Sequence, residues 1–207
     1  MRRGLVALAT TTLLAVAACS TADQRPAPQT EASSPATSAG TRSPQPAKRL
    51  PWKRPENQQA RVEAAGLVLD DHESLDVHYH AHLDVFVNGA PVAVPPGLGI
   101  NVGPNGTMPE HGARGIAPLH THDTSGILHV EAPQATDFTL GQVFELWDVP
   151  IDSSHLAGYG PVRVYVDGKP YTGDPARLVL AAHQEIAVIA GTENVKIPTS
   201  YKFPTGL

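Results

Sequence analysis

A run of alternating residues, Val77–Val87, constrains the fold of this chain more than any other segment. Aliphatic and polar side chains take turns along it, which is the pattern of a β-strand with one buried face. Asn88-Gly89 follows, and then a second apolar run, Ala90–Val94. Asn-Gly between two such runs is the strongest local signal for a tight hairpin. The chain is therefore expected to build a sheet around this hairpin.

Two further hairpins and one helix are predicted after it. The runs Leu119–His122 and Ile127–Glu131 flank a four-residue turn, and Val162–Val166 and Lys169–Tyr171 flank Asp-Gly. Between them, Thr139–Trp147 has apolar residues at i, i+3, i+4 and i+7, the pattern of one helix face. These elements predict an α+β fold of mostly antiparallel hairpins with one helix, either β-grasp-like or β-sandwich-like.

Composition supports a turn-rich β protein and excludes several functional classes. The 207 residues include 18 Gly and 20 Pro, and only 17% are charged, which argues against a helical bundle. The net charge of −5 argues against a general nucleic-acid binder. The single cysteine, Cys19, excludes an intramolecular disulfide and any Cys-rich zinc or iron–sulfur site.

The N-terminal residues have the features of a bacterial export signal. Arg2 and Arg3 precede the uncharged run Leu5–Ala18, which is too short to span a bilayer. The run ends in Ala-Ala-Cys19, which resembles the lipobox of bacterial lipoproteins, where the cysteine is acylated and becomes the first mature residue. This resemblance implies a signal peptide over 1–18, lipid chains such as palmitate on Cys19, and anchoring to the outer face of the cell membrane. An ordinary signal peptide is the alternative.

The rest of the chain divides into a tether and a folded domain. Residues 19–60 are rich in Pro, Ala, Ser and Thr and poor in aliphatic side chains, so a disordered tether is predicted there. Trp52 within it fits either the membrane interface or the edge of the domain. Residues 61–207 are predicted to form a His-rich globular domain with 17 acidic and seven basic residues. Such an acidic domain attracts cations.

The chain is rich in histidine, with ten residues, and histidines fall on one face of two predicted hairpins. Alternation places three on the same side of the first strand, and the four-residue turn pairs His120 with His129. Ring nitrogens at such positions can reach one ion at about 2 Å. We expect His120, His122 and His129 to converge, with His80 or His82 nearby. The predicted metal ligands are His78, His80, His82, His120, His122, His129 and Glu131.

The types of donor atom limit which metal ions the site could bind. Imidazole with carboxylate suits Zn or Cu(II), and a blue-copper site is excluded because it needs a free Cys. Since only neutral imidazole binds a metal, affinity is expected to fall below about pH 6. His111, in a Gly-rich loop, is an open candidate for a further ligand. His72, His155 and His183 are interpreted as surface or hydrogen-bonded structural residues.

Three strings of this sequence resemble a group of His-rich bacterial envelope proteins. They are residues 78–89, residues 119–131 and residues 138–147. The resemblance extends over about residues 75–190. No activity is assigned to that group, so the resemblance implies no function.

Three functions fit these patterns, and enzymatic activity is left open, with binding favoured. The first is an envelope-anchored lipoprotein that captures, buffers or transfers a divalent transition metal, with a protein partner unknown. The second is a zinc-dependent hydrolase-type enzyme in which Glu131 or Glu110 acts as base, although no His-Glu-x-x-His motif occurs. The third is a structural or partner-binding lipoprotein without metal. No catalytic residue is assigned.

Overall fold

The computed structural model describes residues 46–74, 76–102 and 115–207. The predicted signal peptide, Cys19, Glu110 and His111 lie outside these described residues. Neither helix in the described ranges has the length and apolar character needed to cross a membrane. The elements are β1 (Val77–Val87), β2 (Ala90–Val92), β3 (Leu119–His120), β4 (Ile127–Ala132), β5 (Val162–Val166), β6 (Lys169–Tyr171), β7 (Glu185–Ala190), α1 (Gln58–Ala64), α2 (Leu140–Leu146) and a 3₁₀ turn (Pro175–Arg177).

The described strands form one sheet with β1 at its centre. The order is β3-β4-β1-β7-β5-β6, and β2 pairs with the end of β1. All pairs are antiparallel except β1 with β7, which is parallel. The predicted α+β fold with a mostly antiparallel sheet is thus confirmed. Because the described strands belong to a single sheet, the sandwich alternative does not apply to them. The described residues include two α-helices rather than the one predicted.

The hairpin turns follow from their residues. Asn88 and Gly89 have φ of 49° and 78°, and Asp167 and Gly168 have φ of 50° and 75°. Positive φ at both central residues is the type I′ turn, whose twist matches that of the flanking strands. Asn, Asp and Gly are the residues that adopt this conformation at the lowest cost. The local turn chemistry therefore sets the register of β1 with β2 and of β5 with β6.

The hydrophobic core lies on the aliphatic face of β1. Leu83 and Val85 are buried there, together with Val143 and Phe144 of α2. Thr139 begins α2 with a capping box, in which its side chain accepts from the N–H of Gln142 and the Gln142 side chain accepts from the N–H of Thr139. The helix thus starts where the apolar pattern starts.

Residues that the sequence assigns to the tether pack on the domain. Trp52 is only 3% exposed, and its indole Nε1 donates to Lys48 O at 3.0 Å. Trp147 Nε1 in turn donates to Trp52 O at 3.1 Å, and the two rings meet edge to face. Lys48 N also donates to Ala157 O at 2.9 Å. The folded part therefore extends back at least to Lys48, because one Trp buries a large area that composition alone does not register.

Candidate metal centre

Three histidines lie side by side on three adjacent strands. His80 of β1 is the register partner of His129 of β4, and His129 is also the partner of His120 of β3. Opposite residues in an antiparallel pair have side chains on the same face, with Cβ atoms about 4.5–5.5 Å apart. Pairing of β4 with both neighbours therefore produces a row of imidazoles across the sheet.

The strand β3 is shorter than predicted, since it ends at His120. Thr121 does not pair with β4. Its backbone bonds instead to the loop that contains Gly97 and Leu98: Thr121 N donates to Leu98 O at 3.1 Å, and Gly97 N donates to Thr121 O at 2.8 Å. The ring of His122 nevertheless stays beside that of His120, with centroids 4.8 Å apart. The predicted proximity thus holds although the predicted strand does not extend to His122.

The first ligand set consists of His120, His122 and His129, whose candidate donor atoms all lie within 4.8 Å of one another. The Nε2 atoms of His120 and His122 are 3.1 Å apart. Two nitrogens bonded to one tetrahedral zinc at 2.0–2.1 Å would lie about 3.3 Å apart. The observed spacing is therefore close to that of two ligands on a common ion, and the set could hold a metal.

One tautomer in this set is fixed by the backbone. His120 Nδ1 lies 2.9 Å from the carbonyl oxygen of Ala117. A carbonyl only accepts, so Nδ1 carries the hydrogen and donates it. The lone pair of His120 is then on Nε2, the atom that faces His122. Metal-binding histidines are commonly oriented in this way by a second hydrogen bond.

The second ligand set consists of His78, His80 and Glu131, again with donor atoms within 4.8 Å. Glu131 Oε1 is 3.5 Å from His78 Nε2 and 3.4 Å from His129 Nδ1. His80 Nε2 lies 3.1 Å from the same His129 Nδ1. The two sets are therefore in direct contact through His129.

Burial keeps the central rings neutral. Desolvation lowers the pKa of His120 to about 3 and that of His129 to about 4, and the neighbouring imidazole of His122 adds to both shifts. Burial raises the pKa of Glu131, and the charge of Glu73 adds to this. At neutral pH, His120 and His129 thus have lone pairs free of protons, the state that metal binding requires.

The first set opens to solvent at His122, whose side chain is 44% exposed. Glu73 stands beside it, equally exposed, with Oε1 3.7 Å from His122 Nε2. Glu73, His120 and Glu131 also bring donor atoms within 4.8 Å of one another. Sequence analysis missed Glu73, because it precedes β1 in an irregular segment where no periodicity assigns a direction to the side chain.

His82 does not join these sets, although the sequence places it among the ligands. Its Nε2 lies 2.8 Å from Ser125 O and its Nδ1 lies 2.9 Å from Glu185 Oε2. Burial alone would lower the pKa of His82, but the hydrogen bond and charge of Glu185 outweigh it and raise the pKa. Both ring nitrogens of His82 therefore already lie next to acceptors. His82, Asp84 and Glu185 form a third group, separate from the two sets, whose donor atoms also lie within 4.8 Å of one another.

The histidines interpreted as structural belong to neither set, although His183 N donates to the backbone oxygen of His80 at 2.7 Å. His72 and His155 are exposed beside Asp71 and Asp152. His183 Nε2 lies 3.2 Å from Leu207 O in the C-terminal segment. These positions agree with the interpretation drawn from the sequence.

Comparison with known protein families, curated proteins and solved structures finds no match to this chain. The resemblances to a lipobox at Cys19 and to His-rich envelope proteins therefore stay predictions. Function has to be inferred from the two ligand sets.

Proposed function

We propose that this chain is a membrane-anchored lipoprotein that binds a divalent transition metal, Zn or Cu(II), on the outer face of the bacterial cell membrane. The observation that supports metal binding is the convergence of His120, His122 and His129 within 4.8 Å. The fixed tautomer of His120 adds to it, because it presents a lone pair to the shared space. Nitrogen donors with a nearby carboxylate are typical of Zn and Cu(II) sites.

Capture, buffering or transfer of the ion is favoured over catalysis. The two sets together offer more donors than one catalytic ion needs, and the exposed side of His122 gives an ion direct access from solvent. The clustering of the histidines on one face argues against a purely structural role, for which no such convergence is required. In the hydrolase alternative Glu131 or Glu110 would act as base, and of these two only Glu131 lies among the described residues.

Replacing His120 and His122 together with alanine is expected to weaken Zn²⁺ or Cu²⁺ binding to the first set at least 100-fold. Loss of an outer partner of a ligand already costs about 10–100-fold, and this variant removes two ligands. Calorimetric titration of the metal-free, full-length protein without an affinity tag measures the effect. The matched control replaces the exposed His72 and His155 with alanine and should bind as the unmodified protein does. An unchanged titration of the His120/His122 variant would reject the site.

Replacing Cys19 with alanine is expected to release the protein from the membrane without stopping export. The export signal remains, but the thiol that would receive the lipid is gone. Immunoblots of the culture medium and of the membrane fraction check this, with Ser20→Ala as the control. Persistence of the Cys19 variant in the membrane fraction would show that the anchor is assigned wrongly.

A further inference from the structure

We infer that the sheet face that carries the two ligand sets binds two metal ions. The first set holds one ion, and His78, His80 and Glu131 hold a second ion beside it. This inference rests on the proposed metal-binding function and deepens it. It concerns the number of ions and the position of the second one, which the first ligand set does not determine.

The face has more donors than one ion can use. A four-coordinate Zn²⁺ takes at most four protein ligands. The two sets and the neighbouring carboxylate supply the donors His78, His80, His120, His122, His129, Glu131 and Glu73. Three of these complete the first set without any residue of the second. The remaining donors are therefore available for another ion.

Glu131 belongs to the second set and also lies close to a member of the first. It groups with His78 and His80 on one side, and with His120 and Glu73 on the other, in both cases with donor atoms within 4.8 Å. An ionised carboxylate has two oxygens and can bind two cations at once. Paired metal sites bridged in this way hold their ions about 3.5–4 Å apart. The position of Glu131 thus fits a carboxylate shared by two ions.

An unsatisfied buried atom supports the second ion independently. Glu131 is only 6% exposed, and its Oε2 has no hydrogen-bond partner among the described residues. A buried carboxylate oxygen without a partner is costly. A cation bound by His78, His80 and this carboxylate would supply the missing interaction.

The charges at the site predict that the second ion binds only after the first site is filled. The histidines contribute no charge when neutral, so only Glu131 and the exposed Glu73 offset the repulsion between two dications at short range. The second ion should consequently bind more weakly than the first. We expect two separate steps in a titration rather than one.

Cu²⁺ alone is the probe for this inference, added to the metal-free, full-length protein. Elemental analysis after dialysis should give two ions per chain, and electron paramagnetic resonance should show coupling between them at two equivalents. His78→Ala with Glu131→Gln should reduce the count to one and restore the signal of an isolated Cu²⁺. The matched control, His155→Ala with Asp152→Asn, changes an exposed His–Asp pair and should retain two ions.

The outcomes separate this inference from the proposed function. One ion in the unmodified protein, lost on replacing His120 and His122, would overturn the second site and leave the function standing. No bound ion in any variant would overturn both. Two ions retained by the His78/Glu131 variant would overturn the ligand assignment. If circular dichroism shows that this variant is unfolded, the single change His78→Ala at a partly exposed position should still weaken the second step at least tenfold.

Discussion

The metal-free domain is expected to lose up to about 5 kcal/mol of its free energy of unfolding between pH 6.5 and pH 4.5. The cause is the pair of buried rings His120 and His129, whose pKa values are lowered to about 3 and about 4 in the folded state. In the unfolded state both have the ordinary value of about 6.5. This loss is comparable with the total stability of many domains.

The loss of stability at low pH follows from the difference in proton binding between the unfolded and the folded state. Below pH 6.5 the unfolded chain takes up protons at both histidines, whereas the folded protein excludes them until the pH approaches their lowered pKa values. Protons therefore favour unfolding, by about 1.4 kcal/mol per pH unit for each ring. His122 and His80 face these rings, so any positive charge on them adds to the cost of protonation. A bound metal should reduce the loss by competing with protons.

Urea unfolding at several pH values in the presence of a chelator measures this effect. Replacing His120 and His129 with Gln should flatten the dependence of the unfolding free energy on pH, because the variant has no imidazole to protonate there. His155→Gln, at an exposed position, should leave the slope unchanged. A slope that persists in the His120/His129 variant would assign the acid sensitivity to other groups.

Replacing Glu185 with alanine is expected to destabilise the protein by about 3–5 kcal/mol at acidic to neutral pH. Glu185 and His82 are both buried, and their side chains lie 2.9 Å apart. Removing the carboxylate leaves the buried Nδ1 of His82 without its side-chain partner. Because the pKa of His82 is raised in the folded state, the stabilising interaction is fully present below pH 6.5 and is lost as the pH rises through the raised value.

A double-mutant cycle tests this pair. His82→Phe with Glu185→Leu removes both polar partners, and such replacements of a whole buried pair are often neutral. The double variant should therefore lose less stability than Glu185→Leu alone, and His82→Phe alone should also be costly because it leaves the Glu185 carboxylate buried without a partner. Additive effects of the two single changes would contradict coupling between them. Thermal unfolding at pH 6 and pH 9 provides the measurement.

The hairpins and the pairing of His120 with His129 were predictable from the sequence because both are local. The turn residues 123–126 set the register that pairs His120 with His129, and alternation puts His80 on the matching face of β1. A four-residue turn and a period of two residues are enough to infer these neighbours. The sequence left open whether the two hairpins are adjacent, and the long-range pairing of β1 with β4 is what places His80 opposite His129.

The features that were missed depend on contacts distant in the sequence. The parallel pairing of β1 with β7 places Glu185 opposite His82, and no turn signals this neighbour. The stacking of Tyr201 on His82, with centroids 3.7 Å apart, likewise comes from a C-terminal segment that has no periodic pattern. Trp52 falls within the predicted tether because composition averages over a window and gives little weight to one large side chain; of the two positions left open for it, the structure shows packing on the domain.

Under the proposed function, the hydrogen bond from His120 to Ala117 has a consequence for the rate of metal binding. A free imidazole exchanges its hydrogen between two nitrogens, so an arriving cation often encounters the wrong one. In this protein the carbonyl of Ala117 holds the hydrogen on Nδ1 of His120 and leaves the lone pair on Nε2. Metal binding then requires neither a change of tautomer nor a ring flip at His120. The entropic cost of ordering this side chain falls on folding instead of on each binding event.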